Sequence, residues 1–250
     1  MTESAVFWGV AAVAVLLTGV SKGGFGGLAL FAVPLMALIM SPIQAAGIML
    51  PILVLMDWIS VWAYRKTWDR HVLWLTVPGA IVGITLGGLL AGYVDETFVL
   101  LCVGLIAVAF PVYSVLKPAG GGAFIVGNKP LGALAGTIAG FTSFIAHAGG
   151  PPFQAYVIPQ NLEKQTYAGT SVVFFFVVNA VKLVPYAMLG QLSAENLTMS
   201  VLLMPLAPVG VLTGVWLVKR IDQAVFYRIM YALIFAVGIK LLWDVIAALQ

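Results

Sequence analysis

Gly19-Val20-Ser21-Lys22-Gly23-Gly24-Phe25-Gly26-Gly27 interrupts an otherwise apolar stretch at 5–40. The pieces on either side, 5–20 and 28–40, are each shorter than the roughly 20 apolar residues a helix needs to cross a hydrocarbon layer. A second apolar stretch, 130–158, is broken by Thr142-Ser143-Phe144-Ile145-Ala146-His147-Ala148-Gly149-Gly150-Pro151-Pro152 into pieces at 130–146 and 151–158. Each stretch is expected to form two half-length helices joined by a glycine-rich turn, a re-entrant hairpin. Irregular backbone at membrane depth is tolerated only where protein or water satisfies its polar groups.

Uninterrupted apolar runs lie outside these two stretches, at 43–64, 72–93, 97–116, 166–189, 198–218 and 223–247. The 250 residues are 62% hydrophobic and 8% charged, with a mean hydropathy of +1.08, whereas a soluble domain carries roughly 25% charged residues. A water-soluble fold is excluded, and lipid is the expected surrounding. The net charge of +3 fits basic loops on one membrane face and does not call for nucleic acid. No basic region precedes the apolar start, so it is expected to stay in the mature protein and not to be removed as a signal peptide. Cys102 lies inside an apolar run with no second cysteine, and reads as a small packing residue. Ser21-Lys22-Gly23-Gly24 lacks the spacing of a phosphate-binding loop; no metal, cofactor or catalytic residue is expected.

The second half of the chain echoes the first. Gly47, Asp57, Ser60 and Tyr64 fall on Gly169, Asn179, Lys182 and Tyr186, and Pro78, Gly83, Gly87 and Asp95 fall on Pro205, Gly210, Gly214 and Asp222 after a short insertion. Repeats are expected at about 5–118 and 128–248, within one transmembrane domain. In the first copy the basic loop holds Arg65, Lys66 and Arg70, and the next loop is acidic, with Asp95 and Glu96. The second copy swaps the order, with Glu195 first and Lys219 and Arg220 after it. By the positive-inside rule the copies are inverted. Inversion needs an odd number of crossings per copy, which each interrupted stretch supplies with three transmembrane helices whether it forms a hairpin or two full but short crossings. Lys117, Lys129 and Lys164 then join the basic loops on the cytoplasmic side, and both termini lie outside.

Inverted repeats with broken helices commonly build a substrate site near the membrane midplane, with half-helix N-termini facing an anion. Candidate substrate-binding residues are therefore Ser21, Lys22, Gly23, Gly24, Gly26, Gly27, Thr142, Ser143, His147, Gly149, Gly150, Gln154, Asn179 and Lys182. Glycine lets a ligand approach backbone N–H groups closely; the bland alternative is that the glycines serve helix packing. A lysine at the first turn is either an anion partner or a side chain snorkelling to the interface. His147 is either a donor or proton acceptor, or a packing residue. Asp57 and Lys182 lie deep within apolar runs, where ionisable groups are expensive. Asp57 is the candidate for proton coupling and Lys182 for attracting the anion, and the two are expected to pair; a purely structural ion pair is the alternative. Asn161, Gln165 and Thr166 read as helix caps, and Lys240 and Arg228 as interfacial residues.

The glycine run at 19–27, and Gly140-Phe141-Thr142-Ser143 leading to His147-Ala148-Gly149-Gly150-Pro151, resemble the sulfite exporter TauE/SafE family, also called the TSUP transporters. The resemblance covers nearly the whole chain. Ala148 departs from the pattern, standing where the family often has a third glycine. The resemblance implies transport of a small sulfur-containing anion, such as sulfite, thiosulfate, sulfoacetate or another organosulfonate, with proton coupling as an option. The expected protein is a secondary transporter of the cell inner membrane working by alternating access. The alternatives are a passive anion channel and a membrane-embedded enzyme using His147, Asp57 or Lys182 as acid or base. No oligomeric state is read from the sequence.

Overall fold

The computed structural model describes residues 5–37, 39–40, 42–90, 92–116, 125–188 and 193–248. Among them the chain is helical throughout, without strands. The elements are α1 (Ala5–Lys22), a 3-10 turn (Leu28–Phe31), α2 (Ala32–Ala37), α3 (Pro42–Ala63), α4 (Arg70–Leu90), α5 (Glu96–Leu116), α6 (Lys129–Ala146), α7 (Gly150–Val157), a second 3-10 turn (Ile158–Gln160), α8 (Lys164–Met188), α9 (Ala194–Leu203), α10 (Leu206–Arg220) and α11 (Gln223–Ala248). Lys117 and the side chain of Tyr186 lie outside the described residues.

Four helices are long and apolar enough to cross a membrane: α4, α5, α8 over Lys164–Val184, and α11. The pair α9 and α10, bent by 50° at Met204-Pro205, is apolar enough for a fifth if the two form one broken span and not a re-entrant loop. The expected run at 198–218 is thus a kinked element. Proline removes one backbone donor and crowds the preceding turn, and here the ladder opens at that point. Pro78, which the repeat places opposite Pro205, sits inside a continuous α4.

Close backbone contact organises two helix pairs. A Cβ on Gly83 would lie 2.0 Å from the Thr137 carbonyl, and one on Gly136 2.0 Å from the Thr76 carbonyl. Gly79 faces Ala133 and Thr137, and Gly87 faces Phe144, so α4 and α6 run side by side in the same direction. Likewise Gly19 meets Gly210, and Gly23 meets Val211 and Gly214, so α1 and α10 also run parallel. Without a hydrophobic drive between helices in lipid, contact this close is what holds such pairs together.

The basic segments gather at one end. The Asp69 N–H donates to Thr170 Oγ1 at 2.8 Å, the Tyr227 hydroxyl to the Leu162 carbonyl at 2.6 Å, and Lys164 Nζ to the carbonyl of Ile221. The side chain of Gln160 reaches back to the Gly127 N–H (3.2 Å) and the Ile125 carbonyl (3.3 Å), so the chain through α6 and α7 returns to the end it left. Gly24, at the close of α1, lies against Val218 and Tyr64 near this same end. The turn after α6 points the other way, with Ala148 in an apolar cluster with Val99 and neighbouring Val94. The two interrupted helices therefore run in opposite directions. Arg65, Arg70 and Arg220 stack on the exposed Trp62, Trp68 and Trp216 at the basic end, as amphipathic rings do at a headgroup layer.

Candidate functional site

Lys22 ends α1, where the last carbonyls of a helix favour a cation. Its Nζ forms an ion pair with Asp57 Oδ1 at 2.6 Å. Asn179 Nδ2 donates to the second carboxylate oxygen, also at 2.6 Å. Both oxygens of a carboxylate with 0% exposure are therefore bonded. This corrects the expected pairing: Asp57 takes its ion pair from Lys22, not from Lys182. The sequence separation of 35 residues between Lys22 and Asp57 carries no periodic signal, and only the packing of α1 on α3 brings the two together.

Lys182, 1% exposed, donates to the Ser143 carbonyl at 2.6 Å and approaches Ser143 Oγ (3.4 Å) and His147 Nδ1 (3.3 Å). Ser143 lies in the last turn of α6, so Lys182 covers carbonyl groups that this helix end leaves without intrahelical partners. Phe175, Asn179 and Lys182 follow one another at helical spacing on a single face of α8. Lys22 Nζ stands 5.7 Å over the Phe175 ring, and Lys182 lies within electrostatic reach of both Asp57 and Lys22. The two clusters thus form one polar site between both interrupted helices, α3 and α8.

The halves contribute reciprocally. Gly19-Val20-Ser21-Lys22 aligns with Gly140-Phe141-Thr142-Ser143 at an offset of 121 (143 − 22), and Ser60 aligns with Lys182 at 122. Each half therefore holds one lysine and one serine at these two positions, on opposite helices. Ser60 is fully buried, and its Oγ has no hydrogen-bond partner among the described residues.

The glycines divide by role. A Cβ on Gly23 would meet the Val211 carbonyl at 2.5 Å, and one on Gly149 the Ala139 carbonyl at 2.4 Å, so both serve close helix packing. Gly24 and Gly27 have φ of 131° and 115°, a region open to glycine and strained for any other residue. A Cβ on Gly26 would lie 2.5 Å from Gln154 Nε2, which places the buried Gln154 amide of the second interrupted segment directly on the first. Gln154 Oε1 is buried without a hydrogen-bond partner among the described residues. Gly150 alone of these candidates has open space where a Cβ would point.

Pro151 and Pro152 follow Gly150 directly. Proline has no N–H, so the first turn of α7 keeps only part of the donor set that makes a helix N-terminus an anion cradle. Positive charge at this site comes mainly from the two ammonium groups. Thr142 and Ser21 are buried; Thr142 Oγ1 bonds the Ile138 carbonyl at 2.8 Å, and the Ser21 carbonyl takes the Gly24 N–H at 3.1 Å. His147 caps α6 in a left-handed conformation, φ 52°. Ala148 turns its methyl group into an apolar cluster with Val99, Val103 and Leu241, away from the charges.

One contact that the sequence did not announce closes the site toward the basic end. The Tyr64 hydroxyl donates to the Gly23 carbonyl at 2.7 Å, fully buried. Phe25 packs on Phe226 beside it, and Phe226 on Tyr167. Tyr64→Phe is expected to lower stability by about 1–2 kcal/mol, since it strands a buried carbonyl; thermal unfolding in detergent reads this, and an unchanged midpoint would remove the contact's role.

Apolar spans around a charged, buried centre mark a multi-pass membrane protein. A model of the family described as sulfite exporter TauE/SafE matches residues 11–241, and the chain belongs to that family. No curated protein and no solved structure was found to match the chain.

Proposed function

We propose that the chain is a secondary transporter of a small sulfur-containing anion, such as sulfite, thiosulfate, sulfoacetate or another organosulfonate, in the cell inner membrane. The observation that carries this reading is a single polar site where both interrupted helices end, with Lys22 paired to Asp57 and Lys182 on the Ser143 carbonyl. Two cationic side chains, Lys182 buried and Lys22 partly so, in a family of sulfite exporters fit an oxyanion better than a neutral solute.

Two inverted repeats, about 5–118 and 128–248, then rock around this site by alternating access, with 5–40 and 130–158 as re-entrant hairpins. Support comes from the opposite courses of α1 and α6 and from the matching parallel pairs α1–α10 and α4–α6. The basic, tryptophan-rimmed end is the cytoplasmic face in this reading. Ser21, Gly26, Gly150, Thr142, Ser143, His147, Gln154 and Asn179 complete the surroundings of the anion, and Asp57 couples proton movement to it.

Flux of sulfite, thiosulfate and sulfoacetate into proteoliposomes tests the proposal, with and without an imposed proton gradient. The wild-type protein is expected to accumulate one of these anions against its gradient. Lys182→Met is expected to weaken uptake about tenfold or more, because a hydrogen bond to a charged group contributes about 1.5–3 kcal/mol and each 1.4 kcal/mol is about a factor of ten. Purely downhill flux would make the protein a channel, and no flux of any of the three anions in any condition would overturn the reading.

A further inference from the structure

Of the buried side-chain oxygens without a hydrogen-bond partner among the described residues, one stands a single helical turn from Asp57: Ser60 Oγ, at 0% exposure. A hydroxyl inside a helix commonly turns back to the carbonyl four residues before it. Thr18, Thr76, Thr142, Thr170 and Ser200, all buried, do so here at 2.6–2.9 Å. Ser60 makes no such bond. Asp57, Ser60 and Tyr64 follow one another at helical spacing on one face of α3, and both flanking residues bond the end of α1. Asp57 takes the Lys22 ammonium at 2.6 Å, and Tyr64 donates to the Gly23 carbonyl at 2.7 Å. The Lys22 side chain therefore spans the turn of α3 that holds Ser60. In the proposed inverted repeat Ser60 is the counterpart of Lys182, which donates to the Ser143 carbonyl at the end of α6. Both positions bring a donor to the end of an interrupted helix, and the donor of Ser60 is unused among the described residues.

We infer that Ser60 is an anion-binding residue, its hydroxyl donating to one oxygen of an oxyanion whose second oxygen meets Lys22. The inference rests on the proposed transport function and adds a residue to its site. An ammonium carries three N–H donors, and the contact to Asp57 uses one. Lys22 can thus take an anion oxygen with its carboxylate still in place. The Lys22 side chain keeps 11% exposure where Ser60 has none, so the anion comes to Ser60 from the side of the lysine. A buried donor without an acceptor is unfavourable, and an oxygen brought by the ligand supplies the missing acceptor. The hydroxyl therefore weakens the empty protein and strengthens the loaded one, the pattern of a group kept for binding and not for folding. Its demand for an acceptor also selects the ligand: an anion must offer at least two oxygens to reach both Lys22 and Ser60.

Thermal unfolding of the full chain in detergent tests this, without anion and with sulfite, thiosulfate or sulfoacetate added separately over a range of concentrations. Ser60→Ala without anion is expected to unfold at the wild-type midpoint or above it, because it removes a buried donor that has no acceptor. For the anion that shifts the wild type, the concentration giving half the maximal shift should rise about tenfold or more in Ser60→Ala, the effect of losing one hydrogen bond to a charged group. Ser60→Cys keeps the shape with a weaker donor and should fall between the two. A lower midpoint of Ser60→Ala without anion makes the hydroxyl structural and overturns the inference. So does an unchanged half-maximal concentration, which leaves the transport reading standing. Absence of a shift of the wild type by any of the three anions overturns both the inference and the proposed anion site.

Discussion

Asp57→Ala will lower the stability of the protein by about 3–5 kcal/mol, the usual effect of removing one partner from a buried ion pair. The substitution leaves the Lys22 ammonium, 11% exposed at its side chain, facing an apolar wall and the Phe175 ring, and frees the Asn179 amide from its acceptor. Replacing both charges together, as Lys22→Met with Asp57→Leu, should restore most of the loss, because two apolar groups of similar volume need no compensation. Neither protein should transport. Chemical or thermal unfolding in detergent separates the two, and a single variant as stable as the double would show that the pair is not the element holding α1 on α3.

The second large effect lies away from the charges. Gly83→Leu and Gly136→Leu will prevent recovery of folded, monodisperse protein, since each side chain would begin 2.0 Å from a carbonyl of the facing helix. Backbone cannot yield as a flexible side chain does, so α4 and α6 must separate. Overpacking of an ordinary core is unfavourable by about 1–3 kcal/mol; here it also removes the close contact on which helix association in lipid depends. Gly88→Leu is the control, because Gly88 is exposed and meets only the tip of the Phe144 ring at 3.7 Å. Size-exclusion profiles should be normal for it and aggregated for the other two. Normal profiles for all three would refute the packing argument.

Helix positions were largely legible in the sequence because apolar length and glycine interruption are local properties. The run at 223–247 became α11 at 223–248, and the broken stretches divided close to the expected residues. The kink at Met204-Pro205 was not legible, as Pro78 and Pro205 look alike in the chain and only one opens its helix. At the site, the depth of Asp57 and Lys182 could be read from their apolar surroundings. Their partners could not. Lys22 reached Asp57 through tertiary packing, and Lys182 turned instead to the end of α6. The glycines carried two meanings that composition cannot separate: Gly23 and Gly149 fill close helix crossings, whereas Gly24 and Gly27 hold the turn.

Asp57 and Asn179 touch, and in the proposed inverted repeat they are also counterparts. Wherever a duplicated chain meets its own copy across an approximate two-fold axis, a residue on that axis faces its twin. Twin aspartates at this separation could not both ionise and would have to share a proton; twin asparagines would leave Lys22 without a counter-charge. A matched pair of halves thus has no good solution at this one position. Divergence to one acid and one amide supplies a donor for the carboxylate and makes the two copies permanently unequal. Perfect internal symmetry is, on this argument, incompatible with the charge arrangement at the centre of the protein, so the asymmetry between its halves begins at the point where they are most alike.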